Sequence, residues 1–503
     1  MNGTGRAEAA HGRDTNPAAD PPHPGDRWRI TGPVLTVLVL GLAAWVRATN
    51  FVGICRLDMF RYLELSNHVL SGGSLFSENV FYASSRLPLI GPLLASNAVF
   101  GWGEWASVGW PFACSLGTVL VTILLGRELW GWRVGLVAGL MTAIIPIQVE
   151  LGTQLLPDPI QAFFTVLAIY CAVRAVTRDG DRWHGWALAA GFALGLAYLT
   201  RVNAIVFLPG VLAVGAILRP DRWKRSLWAL AGLVGALAAA AFVFFLLTGD
   251  PFIDWRRTAE FYSGYRDTGF HTQDSSFFEL MLTTPSLVWV PYLMVIGTIY
   301  AAIDRQRRSL LMLVWAFGFW FYLDVVSGWH GLDDSYRYAE PLVVPAILLA
   351  SAAFARPVEL RKPILYALGS GLALVVVLSS MHSLTPDAVK QFTGNTRWTA
   401  VRAVADTLER EQPATVWVTE RWDLYALNYY SGFAFDRDTL SSPDADVNAS
   451  ARLFFTDETP YPAEPGTFLV TADPVEEEHF EFVDGFEQRY ETLAIWRRLA
   501  TPE

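Results

Sequence analysis

The sequence predicts a mainly α, polytopic membrane protein of about eleven transmembrane helices, followed by a small C-terminal α/β domain outside the cytoplasm. Three observations carry this. The chain of 503 residues is 52% hydrophobic and only 17% charged, whereas a soluble chain carries about 25% charge. Its apolar residues fall in runs long enough to cross a bilayer, which takes roughly 17–25 residues each. From about residue 384 the runs stop and Asp and Glu become frequent. The 20 Trp suit membrane interfaces.

Residues 1–28 are rich in Gly, Pro, Asp and Arg without apolar period, and read as a disordered cytoplasmic tail. The run TGPVLTVLVLGLAAWVRA (31–48) follows Arg27 and Arg29 as the core of a signal peptide does, but the many later apolar runs favour an uncleaved first helix. The remaining predicted spans are 104–126, 132–149, 156–176, 184–200, 202–219, 226–248, 285–303, 309–327, 339–355 and 363–381. LPLIGPLLASNAVF (87–100) is short, and reads as a half-helix or interfacial piece. With a cytoplasmic N-terminus, Lys and Arg are about twice as frequent in the inner segments as in the outer loops, as positive-inside bias requires. An odd number of spans then places the C-terminus outside. In residues 384–503, NTRWTAVRAVADTLERE has helical period, ATVWVTE and GTFLVTA read as strands, RWDLYALNYY as a second helix, and EFVDGFEQRYETLAIWRRL as two strands joined by a polar turn.

Several function classes are excluded at this level. The net charge of −10 and the lack of a basic patch argue against nucleic-acid binding. Cys55, Cys114 and Cys171 have neither disulfide-framework nor zinc spacing. No Gly-rich nucleotide loop is present.

Ionisable residues avoid the span centres and collect at the expected outer helix ends, which weighs against an ion-coupled transporter. They are Asp58, Glu64, Arg86, Glu150, Asp158, Arg201, the loop 249–284, Asp324 and the segment GWHGLDDSYRYAE (328–340). The core of the outer loop 49–90, LDMFRYLELSNHVLSGG, has helical spacing with Leu57, Tyr62, Leu65, Val69 and Leu70 on or near one face, and should lie in the interface plane. Asp58 and Tyr62, four apart, share a face. Asp158 sits between two prolines at a span start, where the helix dipole favours a carboxylate and a proline fits the first turn. Arg201 in YLTRVNA and Arg337 in DSYRYAEP read either as interface anchors or as phosphate-binding cations.

These stretches resemble the polytopic GT-C glycosyltransferases, especially the branch of protein O-mannosyltransferases and lipid A aminoarabinose transferases. LDMFRYLELSNHVLSGG is similar to the family's first-loop motif of adjacent acids followed by Tyr. SSRLPLIGPLLA resembles its Arg-Pro-Pro pattern, LLPDPIQAFFTVLAIYCAVRA its Ser-Asp helix start, GFALGLAYLTRVNAIVFLP its Leu-Thr-Arg helix pair, and SYRYAEPLVVPAILL a later Arg-Tyr span. The likeness covers roughly residues 30–355. The second acid of the first-loop pair is replaced by Met59 and the first proline by Leu87, which points to a bacterial branch that glycosylates lipids or polysaccharides.

The resemblance implies a GT-C domain over residues 29–383 with catalytic outer loops 49–90 and 249–284, and the soluble domain over 384–503. It implies transfer of a sugar from a polyprenyl-phosphate donor to a hydroxyl of a lipid, glycan or protein, with inversion, at the cell membrane's outer face. Asp58 is then the general base, and Asp158 orients a substrate. Arg201 and Arg337, which would stabilise the leaving phosphate, bind substrate together with Tyr62, Arg86, Arg256 and Tyr262. No cofactor is implied beyond a divalent metal ion, whose ligands, if the reaction uses one, are Asp58 and Asp158. The competing readings are a flippase for lipid-linked sugars and an outer-face polysaccharide polymerase or ligase.

Overall fold

The computed structural model describes residues 24–76, 85–267, 277–284, 286–287, 289–326, 335–355 and 395–411. It also describes 415–418, 426–427, 429–430, 436–437, 452–455, 468–471, 480–487 and 492–498. Residues 1–23 of the tail expected over 1–28, the span at 363–381, and the stretches 268–276 and 327–334 lie outside the described residues, whereas residues 24–28 are not tail but the opening of the first helix.

The apolar runs form helices. They are α1 (Pro24–Thr49), α2 (Leu57–Leu70), α3 (Leu87–Phe100), α4 (Glu104–Trp130), α5 (Trp132–Ile144), α6 (Pro146–Leu151), α7 (Asp158–Thr177), α8 (Trp183–Thr200), α9 (Leu208–Leu218) and α10 (Lys224–Thr248). After them come α11 (Ile253–Asp267), α12 (Phe277–Thr283), α13 (Trp289–Asp304), α14 (Arg307–Phe321) and α15 (Glu340–Ala355). Among the described residues, five helices are long and apolar enough to cross a membrane: Ile30–Thr49, Glu104–Trp130, Asp158–Thr177, Lys224–Thr248 and Arg337–Ala355. The chain is a multi-pass membrane protein. α7 and α15 are the most buried of these helices and form the centre of the bundle, whereas α1 and α10 keep apolar faces turned outward.

Two runs expected to be continuous are interrupted. The run 132–149 breaks at Ile145, because Pro146 has no amide to donate to Thr142 and starts a new short helix, α6. The run 202–219 opens as a 3-10 turn, Val202–Phe207, before α9. Arg47, at the end of the first predicted span, is fully buried within α1. Its guanidinium donates to the carbonyls of Thr142 (3.4 Å) and Ala143 (3.0 Å) and to Ser115 Oγ (2.8 Å). It thereby satisfies the carbonyls that the break at Pro146 leaves over.

α2 departs from the surface-lying helix expected. Met59, Phe60, Tyr62, Leu63 and Leu65 are buried while Leu70 is exposed, so protein covers α2 on more than the one face that the spacing marked. Cys55, Cys114 and Cys171 are free thiols.

Beyond the helices, α16 (Asn395–Glu411) packs on a six-stranded sheet. The strands are β1 (Thr415–Val418), β2 (Asp436–Arg437), β3 (Arg452–Phe455), β4 (Phe468–Thr471), β5 (Phe480–Glu487) and β6 (Thr492–Arg498), in the order β2-β3-β1-β4-β6-β5. β2, β3, β1 and β4 run parallel, and β6 and β5 complete the sheet antiparallel. Val401, Val404, Ala405 and Leu408 of α16 are buried with Val416, Val418 and Leu469 of the strands.

The α8–α10 contact is close enough to demand glycine. A Cβ on Gly191 would strike the Ala229 carbonyl, and one on Gly232 would strike that of Leu188. Small residues at such crossings let backbones approach in membranes. Gly191→Leu or Gly232→Leu is therefore expected to abolish the folded fraction in detergent, read by size-exclusion profile and thermal melt. Gly185→Ala on the same helix, where a Cβ meets nothing, should melt within about 2 °C of wild type.

Candidate active site

Three elements bring the ionisable residues together. Asp158 is the first residue of α7, between Pro157 and Pro159, where the helix dipole favours a carboxylate. Arg201 caps the end of α8 in extended backbone, just before the 3-10 turn. α7 and α8 pack against each other, so the start of one meets the end of the other. Arg201 Nη2 donates to Asp158 Oδ2 at 2.9 Å, with 7% and 2% of the two side chains exposed. Gln161 Nε2 donates to Asn203 Oδ1 at 2.8 Å and ties the same two elements again.

The third element is the short 3-10 turn Ser335–Ala339 before α15. Its Tyr338 ring lies 4.4 Å from the Arg201 guanidinium and 5.7 Å from that of Arg337. Arg337 Nη2 reaches Asp58 Oδ2 at 3.4 Å. Asp58 occupies the first turn of α2 and is 32% exposed, against 10% for Arg337. One aromatic ring thus joins two arginine–carboxylate pairs. The pair holding Asp158 is close and buried. The pair holding Asp58 is longer and partly open.

The approach to α2 is fastened to the loop before α7. Gly53, at φ +82°, forms a parallel bridge with Gln154 and donates its amide to the Thr153 carbonyl at 3.0 Å. Arg56 Nε donates to Gln154 Oε1 at 3.0 Å and lies 3.7 Å from Glu150. Asp58 and Asp158 therefore stand on two stretches of backbone that are bonded to each other.

Tyr62, fully buried one turn beyond Asp58, accepts a hydrogen bond from Arg86 Nη1 at the start of α3. Asp254 of α11 faces Ser85, Thr258 and Arg86. Burial holds its carboxyl above the usual carboxylate range, against the pull of Ser85 and Arg86. Arg257 Nη2 donates to the Phe76 carbonyl at 2.7 Å, so α11 also grips the end of the first loop.

Of the residues expected from sequence, Asp58, Asp158, Arg201 and Arg337 fall in one cluster, with Tyr62 and Arg86 paired beside it. Arg256 does not join them: it is exposed and paired with Asp250. Tyr262 belongs to α11, but its side chain lies outside the described residues. Sequence reasoning did not single out Tyr338 or Glu340. Glu340, the first residue of α15, is fully buried and faces Asp158, Arg201, Arg47 and Gln148. Among the described residues its carboxylate oxygens meet no hydrogen-bond donor in ordinary geometry. The signal was an ionisable residue opening an otherwise apolar run, two residues after Tyr338.

The chain is similar to several known proteins. Residues 91–245 match the model of the dolichyl-phosphate-mannose-protein mannosyltransferase family, a stretch that includes Asp158 and Arg201. The undecaprenyl phosphate-alpha-4-amino-4-deoxy-L-arabinose arabinosyl transferase 2 of Pseudomonas fluorescens is 25% identical over 369 residues, 69% of this chain and 64% of that enzyme. A putative mannosyltransferase of Bacillus subtilis, YkcB, is 27% identical over 147 residues, 29% of this chain and 20% of that protein. The chain thus spans less than two thirds of either relative. Crystalline ArnT from Cupriavidus metallidurans, bound to undecaprenyl phosphate, superposes with a TM-score of 0.62 at 15% identity, over 94% of this chain and all of that one. The fold is GT-C. The oligosaccharyltransferase AglB of Archaeoglobus fulgidus shares this GT-C architecture more distantly, with a TM-score of 0.51 at 15% identity over 80% of this chain and 64% of that one.

Two outcomes follow from the geometry. Removing one partner of a buried ion pair strands the other charge and costs about 3–5 kcal/mol. Asp158→Ala should therefore lower the melting temperature sharply, whereas Asp58→Asn, at the looser and more exposed pair, should stay within about 0.5 kcal/mol of wild type. The second outcome concerns pH. The folded protein holds the Asp254 proton more tightly than the unfolded chain does. That contribution to stability is present below the ordinary carboxylate value and is lost as pH rises through the raised one. Asp254→Asn should melt higher than wild type at neutral pH, with the gap closing toward about pH 4.

Proposed function

We propose that the protein transfers a sugar from a polyprenyl-phosphate donor to an acceptor hydroxyl at the outer face of the membrane. The observation that carries this reading is the pair of arginines, Arg201 and Arg337, gathered on Tyr338 beside one tightly held and one accessible carboxylate. The GT-C fold and the named activities of the similar enzymes support it. In this reading the N-terminus is cytoplasmic. The start of α7, the end of α8, α2 and the C-terminal domain face outward, consistent with the distribution of Lys and Arg.

Asp58 acts as general base. It takes the proton of the acceptor hydroxyl as that oxygen bonds to the anomeric carbon. The bond from this carbon to the phosphate oxygen breaks, and its electron pair leaves with polyprenyl phosphate. A single displacement inverts the anomeric centre. The leaving phosphate changes from a diester to a monoester and gains negative charge, which Arg337 and Arg201 stabilise with fixed guanidinium donors. Asp158 serves chiefly to hold Arg201, and Tyr62 with Arg86 lines the acceptor side.

The residues do not favour a metal ion at this point. Asp58 and Asp158 each already face an arginine. Among the described residues no group of three or more His, Cys, Asp or Glu side chains is suited to hold one.

The test uses purified protein in lipid with a panel of radiolabelled polyprenyl-phosphate sugars. Asp58→Asn is expected to lower sugar transfer or donor hydrolysis about 10²–10⁴-fold, and Arg337→Met about 10²–10³-fold, with folding retained. Turnover that survives Asp58→Asn assigns the base to another carboxylate. Donor translocation across vesicles without turnover sinks the enzyme reading and favours a flippase.

A further inference from the structure

The C-terminal domain meets the helical bundle at a specific place. Arg402 on α16 donates through Nη2 to Glu104 Oε1, the first residue of α4, and to the Tyr430 hydroxyl at 3.1 Å. Its guanidinium also lies 4.6 Å from the Tyr430 ring. The Tyr430 hydroxyl lies 3.3 Å from the Ile54 carbonyl and 3.4 Å from Glu104 Oε1, and shares its proton between them. Glu104 in turn faces the Ile54 backbone amide. Below this the Tyr429 and Tyr430 rings sit 5.9 and 6.0 Å from that of Phe60, which is buried on α2 two residues past Asp58.

This contact lands on residues 53–60, the stretch that delivers Asp58. A Cβ at Gly53 would press into the Glu104 carboxylate, and the φ of +82° there is itself unfavourable for other residues. On its other side the same stretch is bonded to residues 150–154, which lead to Asp158. Both carboxylate-bearing segments therefore rest on a joint whose far half belongs to the C-terminal domain. The Tyr430 hydroxyl thus reaches the backbone of the very stretch that leads into α2.

We propose that Arg402 and Tyr430, acting through Glu104 and the Ile54 peptide, are positioning residues that fix the start of α2 and hence Asp58. The C-terminal domain is on this view part of the active site's support. The catalytic half of this proposal rests on the transferase reading above. The bracing half does not.

The experiment uses full-length protein in detergent or nanodiscs with Arg402→Met, Tyr430→Phe and Arg402→Lys. Hydrogen exchange is followed in peptides covering residues 52–63, and kcat and KM are measured for the donor. In Arg402→Met and Tyr430→Phe, exchange at 52–63 should rise about tenfold while the helices α8 and α10 stay protected. The kcat should fall about ten- to a hundredfold with KM for the donor little changed, because a small misplacement costs rate rather than binding. Arg402→Lys, which keeps a cation toward Glu104, should recover part of both. Unchanged exchange at 52–63 in both Arg402→Met and Tyr430→Phe overturns the proposal, as does unchanged kcat despite looser exchange. If wild type itself turns over no donor, that failure belongs to the transferase reading, and exchange alone decides the bracing.

Discussion

A guanidinium inside an apolar helical bundle is tolerable only with a carboxylate and a polarisable surface close by. That constraint organises this protein. Arg201 lies almost wholly inside, and its charge is met by Asp158 on one side and the Tyr338 ring on another. The same ring faces Arg337, which turns toward Asp58. Elements from the first loop, the α7–α8 hairpin and the start of α15 thus have to converge. Once they do, two cations stand where an anionic group can replace or supplement their protein partners. The difference between the pairs divides the roles. The buried one fixes geometry, and the open one has an accessible carboxylate.

Interrupted helices make room for this cluster. Unpaired backbone at such depth is tolerated only where protein buries and satisfies it. Pro146 ends α5 early, and Arg47 takes up the carbonyls left over. The prolines around residue 158 start α7 with a carboxylate at its first position, and Arg201 ends α8 in extended backbone. Each break creates a polar helix end inside the molecule. Glu340 adds a further carboxyl group to the same layer, facing Arg47 and Arg201. This layer beneath the cluster ties the first helix of the chain to the last described helix of the bundle.

Much of the architecture was legible in sequence, because apolar runs and their period report local chain geometry. The helices α4, α7, α8, α10 and α13 start and end near the positions that the runs give, and α2 was visible as a helix carrying Asp58. Its buried face was not. Leu70 was placed on or near the apolar face and is exposed, whereas Met59, Phe60 and Leu63, outside that set, are buried, since protein packs on more than one side of α2. Periodicity reads one face at a time and cannot show a second neighbour. Arg47 stands at the end of an apolar run with nothing in the local sequence to mark it, yet it is the most deeply enclosed arginine described. Its partners lie on α4 and α5, at separations that no local pattern encodes. The pairing of Asp58 with Arg337, 279 residues apart, was likewise beyond reach from spacing, although both residue types drew notice singly.

The central claim is that Arg337 and Arg201, joined by Tyr338, receive the phosphate of a polyprenyl carrier beside Asp58. The measurement that tests it most directly is an experimental structure of the full chain with a polyprenyl phosphate bound. The expected result is a phosphate within hydrogen-bond distance of the Arg337 guanidinium, on the Asp58 side of the Tyr338 ring, with Arg201 still paired to Asp158. A phosphate held by other residues, away from both arginines, contradicts the account.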